Sequence, residues 1–317
     1  MPSPRAERSP FAEPVEASHA APSTSSGAAP GVLAVVGDLV EDIVVWAGEP
    51  VRTATDTAAQ VFRSRGGSAA NVAALAAGLV PTGFIGRVGA DAAGDALVAE
   101  LASHGVDVRV QREGRTGTIV LLVDAGGERT MFPDRGASAE LVGVDPAWLD
   151  GVAWLHAPAY GFEREPMRGE LLRLAAIARD AGARTSLDAS STGLISGLGV
   201  EAALELVRAF APDVVFANED EAALLGLAGG GALAASVAPT VVVKHGPLPT
   251  DVITGGRLAT RVDVPPVAGI RDTTGAGDAF AAGFLAATLQ GADVAAACRA
   301  GHASAASVLT SPGARSR

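Results

Sequence analysis

A short apolar run rich in β-branched residues, closed by a turn and followed by a stretch with helical spacing, recurs along this chain from Val32 onward. The first run, Val32 to Val36, stops at Gly37-Asp38; others cover Val152 to His156, Thr185 to Asp188, Val214 to Ala217 and Thr240 to Lys244. Runs this short and this uniformly apolar suit strands buried on both faces. Between them the spacing predicts helices over Ser68 to Leu79 with a Ser68 cap, Asp91 to His104 with an Asp91 cap, Glu165 to Asp180, Val200 to Phe210 and Glu219 to Leu225. Alternation of this kind makes an α/β fold, a doubly wound, mainly parallel sheet flanked by helices. Ligands then belong at the carboxyl ends of the strands.

Two stretches break the alternation. Ile43 to Phe62 and Val108 to Pro133 read as short strands with no helix between them, joined by turns such as Ala125-Gly126-Gly127. They predict a small β-sheet lid over the site, with segments at about 43–65 and 107–136 of a single domain spanning 31–310. The Pro/Ser/Ala-rich residues 1–30 and the segment 311–317 read as disordered tails. Aromatic residues make up 4% of the chain while alanine and glycine abound, which suits helices packed closely on a sheet better than a β-sandwich.

A net charge of −11 without any basic block excludes nucleic acid and anionic membrane as the expected partners, leaving a small molecule. No apolar stretch is long enough to span a bilayer, and residues 1–30 lack the apolar centre of a secretory signal. The lone Cys298 has no partner for an internal disulfide, which fits a reducing cytoplasm. An anionic ligand must be held locally against the overall charge, and backbone N–H groups are a natural means.

Lys244 is the sole lysine, so the phosphate-binding schemes that pair glycine with lysine are absent, as are the protein-kinase motifs. The loop Asp272-Thr-Thr-Gly-Ala-Gly-Asp278 instead opens an evident helix. Its glycines let Gly275, Ala276 and Gly277 aim N–H groups at one point, where the helix dipole adds partial positive charge. Asp278 beside this anion hole reads either as a cap of its own helix or as a general base accepting a proton from an attacking hydroxyl. The residues alone leave both readings open.

Two long motifs in order then carry a family resemblance. Gly66-Gly67-Ser-Ala-Ala-Asn71-Val-Ala with Phe84-Ile-Gly-Arg-Val-Gly89-Ala-Asp91-Ala-Ala-Gly94-Asp95, and the loop ending at Asp278, resemble the two signatures of the ribokinase-like (PfkB) carbohydrate kinases. The resemblance implies transfer of the γ-phosphoryl group of ATP to a hydroxyl of a small sugar or nucleoside, with Asp278 as base and the amides of Gly275, Ala276 and Gly277 as anion hole. It further implies substrate contacts at Asp42, Gly67 and Asn71. Asn218-Glu-Asp-Glu221 matches an N-x-x-E motif that places Mg2+ and nucleotide phosphates, Glu221 acting on the metal through water; without that context the pair reads as a capping box. Lys244 and Gly246 match the nucleotide-side strand end, and Thr274 the nucleotide loop. A K+ site would use carbonyls at Asp272 and Thr274 with the loop Leu309 to Gly313, and a homodimer through the lid occurs among such kinases.

Arg135, closing the second lid stretch, can bind a substrate carboxylate or phosphate bidentately, or be a solvated lid arginine. His156 and Asp188 end strands where sites occur, whereas His104 and His302 read as structural. The expected acceptor is a neutral sugar or sugar acid first, a nucleoside second and a sugar phosphate third.

Overall fold

The computed structural model of the protein describes residues 31–310 except 125 and 127. The expected tails at 1–30 and 311–317 lie outside the described residues, as do Ala125 and Gly127 of the expected lid turn. Nine strands form the main sheet: β1 (Val32–Val36), β4 (Thr82–Val88), β5 (Asp107–Arg112), β8 (Val152–Pro158), β9 (Arg184–Asp188), β10 (Val214–Asn218), β11 (Thr240–His245), β12 (Leu248–Thr254) and β13 (Arg257–Val262). Their order is β13-β12-β11-β10-β9-β8-β1-β4-β5, parallel throughout except for the antiparallel pairs β11/β12 and β12/β13. The chain therefore leaves β1 toward β4 and β5, then returns to β8 and proceeds the other way. That reversal opens a crevice at the carboxyl ends of β1 and β8.

The strands owe their apolar runs to burial on both faces. In β1, Leu33 and Val35 join one core while Ala34 and Val36 join the other; in β10, Val214 and Phe216 part in the same way from Val215 and Ala217. One core is covered by α1 (Ser68–Ala77), α2 (Ala92–Ser103), α8 (Ala276–Leu289) and α9 (Val294–Val308). The other is covered by α3 (Met167–Asp180), α4 (Thr192–Leu198), α5 (Val200–Phe210), α6 (Glu219–Leu224) and α7 (Ala232–Val237). Among the described residues, no helix is long and apolar enough to cross a membrane.

The lid is a separate four-stranded sheet of β2 (Val40–Ala47), β3 (Ala59–Gly66), β6 (Thr116–Val123) and β7 (Arg129–Gly136), ordered β3-β2-β6-β7. The two hairpins join through a parallel β2/β6 pair. One expectation needs correcting: residues 107–112, taken as lid, are the edge strand β5 of the main sheet, parallel to β4. Strand β4 itself eluded the pattern because Gly83 and Gly86 interrupt its apolar run.

Arg135 also departs from expectation. Its fork is spent on Asp38, with Nε and Nη2 donating to the two carboxylate oxygens at 2.8 and 2.7 Å, while Nη1 donates to the Tyr160 carbonyl at 2.8 Å and to Glu163 Oε2 at 2.9 Å. Arg135 is thus a buried clamp between the lid and the loop after β1, its donors engaged within the protein. Asp91 makes the companion joint: it caps α2 through Gly94 N–H and accepts from Thr116 N–H and Oγ1 at the foot of β6.

Arg135→Met is expected to strand the Asp38 carboxylate and to cost about 3–5 kcal/mol, read from urea unfolding. A change within about 0.5 kcal/mol would mean a solvated arginine instead.

Candidate active site

The two motifs meet at the N-terminal ends of α1 and α8, above the carboxyl ends of the central strands. Helix α1 starts at Gly67, whose φ is +98° and where a Cβ would lie 2.2 Å from the Asp38 carbonyl oxygen. Only glycine takes that backbone at that approach. Ser68 is consequently not the helix cap expected from the sequence. Its hydroxyl points across the crevice and donates to Asp278 Oδ1 at 2.6 Å, while Asn71 Nδ2 donates to Oδ2 at 2.9 Å.

Asp278 lies in the first turn of α8, which begins at Gly275 in a left-handed conformation with no side-chain cap. Its carboxylate caps nothing; both oxygens are turned to α1. The N–H groups of Gly277 and Asp278 precede the first full helical bond, from Ala279 N–H to the Gly275 carbonyl, so they are free to meet an anion. Ala276 N–H donates weakly to the Thr273 carbonyl at 3.2 Å. Burial, opposed by the Ser68 and Asn71 donors, pushes the Asp278 carboxyl up to about 6, with Asp188 adding and Lys244 subtracting. A carboxyl so placed is ionised at neutral pH yet basic enough to take a proton.

The sole lysine stands at the same hole. Lys244, near the end of β11, donates to Asp188 Oδ2 at 3.0 Å, and its Nζ lies 3.4 Å from where a Cβ on Gly277 would sit. Burial works against the Lys244 charge, but Asp188, Glu221 and Asp278 outweigh it and hold its pKa above the usual value. Asp188 is steadied by Ser190 N–H at 2.8 Å. Gly246 turns β11 into β12 with φ +59°. Asn218 and Glu221 form the reciprocal capping box of α6, each side chain accepting from the other's N–H at 2.8 Å. Burial, then the nearby Asp188, raises the Glu221 carboxyl.

On the other side of the crevice, Asp42 of β2 packs its carboxylate over Gly66, where a Cβ would lie 2.0 Å from Oδ1. That oxygen is buried and accepts no hydrogen bond, and burial pushes the carboxyl up to about 6 against the pull of Arg65. An unsatisfied acceptor of this kind suits ligand hydroxyls. The loop before α8 also meets the lid: Arg129 of β7 donates to Thr274 Oγ1 and, at 2.7 Å, to Asp272 Oδ1, which also accepts from Thr274 N–H at 2.8 Å.

The structure thus brings together Asp42, Gly67, Asn71, Lys244, Thr274 and Gly275 to Asp278, and leaves Arg135 in its clamp. Glu221 stays close enough to raise the Lys244 pKa. His156 is fully buried below the site, its Nδ1 2.9 Å from Ser186 Oγ, and burial pulls it down to about 4. It is a neutral core residue rather than a substrate contact. Ser68, Arg65 and Arg129 went unrecognised; for Ser68 the signal was present, since a serine directly after Gly66-Gly67 shares the turn that aims Asn71.

Residues 32–317 match the pfkB family carbohydrate kinase profile. An ATP-dependent ribose-1-phosphate kinase of Halopiger xanaduensis is 36% identical over 80% of this chain and 83% of its own length. A fructokinase of Klebsiella pneumoniae is 31% identical over 81% and 84%. Among solved structures, a probable sugar kinase of Rhizobium etli and an adenosine kinase of Sinorhizobium meliloti superpose with TM-scores of 0.80 and 0.79, each 24% identical; the first covers 91% and the second 90% of this chain, and each match spans 96% of the solved chain. Those two show the ribokinase-like fold.

Proposed function

Because the chain belongs to the pfkB family of carbohydrate kinases, an ATP-dependent class, we propose that it phosphorylates a hydroxyl of a small sugar or sugar acid with Asp278 as the general base. The observation that carries this reading is the placement of one half-buried carboxylate, with both oxygens held by α1, at the open N–H groups of α8. Asp278 takes the proton of the attacking hydroxyl as its oxygen bonds the γ-phosphorus. The bond from that phosphorus to the β,γ-bridging oxygen breaks, and ADP leaves. The amides of Gly275, Ala276 and Gly277, with the Lys244 ammonium, receive the negative charge that spreads over the transferring group. Gly67 shapes the turn that holds the substrate against α1, and the Asp42 carboxylate accepts hydrogen bonds from two substrate hydroxyls.

Mg2+ suits Glu221 only through water, since one carboxylate oxygen already accepts Asn218 N–H and no cluster of three metal-binding side chains exists among the described residues. There it supplies neutralisation of phosphate charge. The K+ carbonyls fit less well: the Leu309 carbonyl already accepts Arg271 N–H at 2.9 Å, and residues 311–313 lie outside the described residues. No step is assigned to K+.

A nucleoside acceptor is the second reading. Trp46, Phe62 and Met131 are exposed on the same lid face as Asp42 and Arg129, offering a flat apolar wall to a base. The opposite lid face carries Ile43, Val45, Val61, Val120, Leu122 and Phe132, which supports pairing of two lids in a homodimer.

In a panel of sugars, sugar acids, sugar phosphates and nucleosides, ATP consumption is expected with at least one acceptor. Asp278→Asn should lower kcat by about 10² or more. A variant with full activity would refute the base. The rate should fall with acid as Asp278 protonates near 6. Sedimentation should give a dimer that Phe132→Asp dissociates; a monomeric wild type would refute the lid interface.

A further inference from the structure

Arg65 belongs to neither chemical role above, yet it stands between the two carboxylates that carry them. It is the penultimate residue of β3, its side chain is 4% exposed, and Nε lies 3.8 Å from Glu100 Oε1. Nη1 donates to Asn71 Oδ1 at 2.8 Å, and Asn71 Nδ2 in turn donates to Asp278 Oδ2 at 2.9 Å. We propose that Arg65 is a positioning residue for phosphoryl transfer: it locks the Asn71 amide with its NH2 end toward Asp278 and so fixes the orientation of the base. The proposal rests on the reading of Asp278 as that base.

The orientation of Asn71 follows from what each group can donate. A primary amide has a donor end and an acceptor end of nearly the same shape, and a half-turn exchanges them. A guanidinium only donates, and an ionised carboxylate only accepts. With Arg65 on one side and Asp278 on the other, one orientation of Asn71 makes two charge-assisted bonds and the reverse sets like against like at both ends. Ser68 alone holds only Oδ1, about which the carboxylate can pivot; the Asn71 bond to Oδ2 removes that freedom.

Arg65 also ties the base to the lid. It sits where β3 runs through Gly66-Gly67 into α1, so a movement of the lid strand displaces the guanidinium before it reaches Asn71. The same cation draws down the Asp42 carboxyl, which burial raises. One arginine thus offsets the charge of the substrate-binding carboxylate and orients the catalytic one. The other ionisable groups facing Asp278 are Lys244 of β11, Asp188 of β9 and the Tyr160 phenol after β8. None of them contacts Asn71 in the way Arg65 does.

The test is steady-state kinetics against pH for Arg65→Met, Arg65→Lys, Asn71→Ala and the Met/Ala double variant, with binding of a non-hydrolysable ATP analogue as the control. Arg65→Met should lower kcat by about 10- to 100-fold with unchanged analogue binding. Loss of the amide donor raises the base, so the acid limb of kcat should move to higher pH. Lysine can still donate to Asn71 Oδ1 and should restore most of kcat and the limb. In the Asn71→Ala background the methionine change should cost no more than about twofold, because the two residues act as one unit.

The proposal is overturned if Arg65→Met keeps wild-type kcat and limb while Asp278→Asn is inactive, if Lys and Met variants are equally impaired, or if the methionine loss persists beside Asn71→Ala. Should Arg65→Met fail to fold, Arg65→Lys and Arg65→Gln decide: both can donate to Asn71, so a displaced limb in both overturns the proposal and a retained one supports it. Activity retained in Asp278→Asn would instead remove the base reading beneath it.

Discussion

A carboxylate kept ionised in a half-buried crevice is costly, and the architecture around Asp278 answers that cost. Two donors from α1 hold its oxygens, the first turn of α8 lends partial positive charge, and Lys244 stands close enough to lower its pKa. Burial still prevails, leaving the group more basic than an exposed aspartate. Lys244 carries the complementary strain: its charge survives burial because Asp188 is hydrogen-bonded to it and Glu221 and Asp278 lie near. The Asp278 carboxylate with its α1 donors, Lys244, Asp188 and Glu221 are therefore one electrostatic unit. Removing any one charge alters the other three.

The topology explains how residues some 200 positions apart form that unit. Parallel strands deliver Gly37-Asp38, Pro158, Asp188, Asn218 and Lys244 to a single edge of the sheet, and the reversal of winding at β1 leaves room there for α1 and α8 to bring their N-termini together. The lid is hinged at that edge by Arg135 on Asp38 and by Asp91 on Thr116. Much of what looks like chemistry in the first motif is this joint. Asp91 and Gly94 hold the foot of the lid, while only Gly67, Ser68 and Asn71 address the crevice.

Legibility followed from how local each determinant is. Helix α5 and strand β1 were readable to the residue because their patterns depend on burial alone. The edge strand β5 was not, since alternating polar residues in Asp107 to Arg112 look alike on a lid and on the rim of a large sheet. Asp278 was ambiguous for a related reason: the choice between cap and base depends on Ser68 and Asn71, which lie more than 200 residues away in the chain. Arginines were least legible of all. Arg135, expected at the substrate, is a clamp, and Arg65, unnoticed, lies behind Asn71 and Asp278; the difference between them is which carboxylate or amide the fold carries to each, and no short-range pattern records it.

The proposed role of Asp278 as base rests on burial outweighing donation at its carboxylate. Its most direct test is the titration of the Asp278 side-chain carboxyl by 13C NMR, assigned against Asp278→Asn. The account predicts a midpoint near 6 in the ligand-free protein. A midpoint near 3.8, the ordinary value for an aspartate, would contradict it.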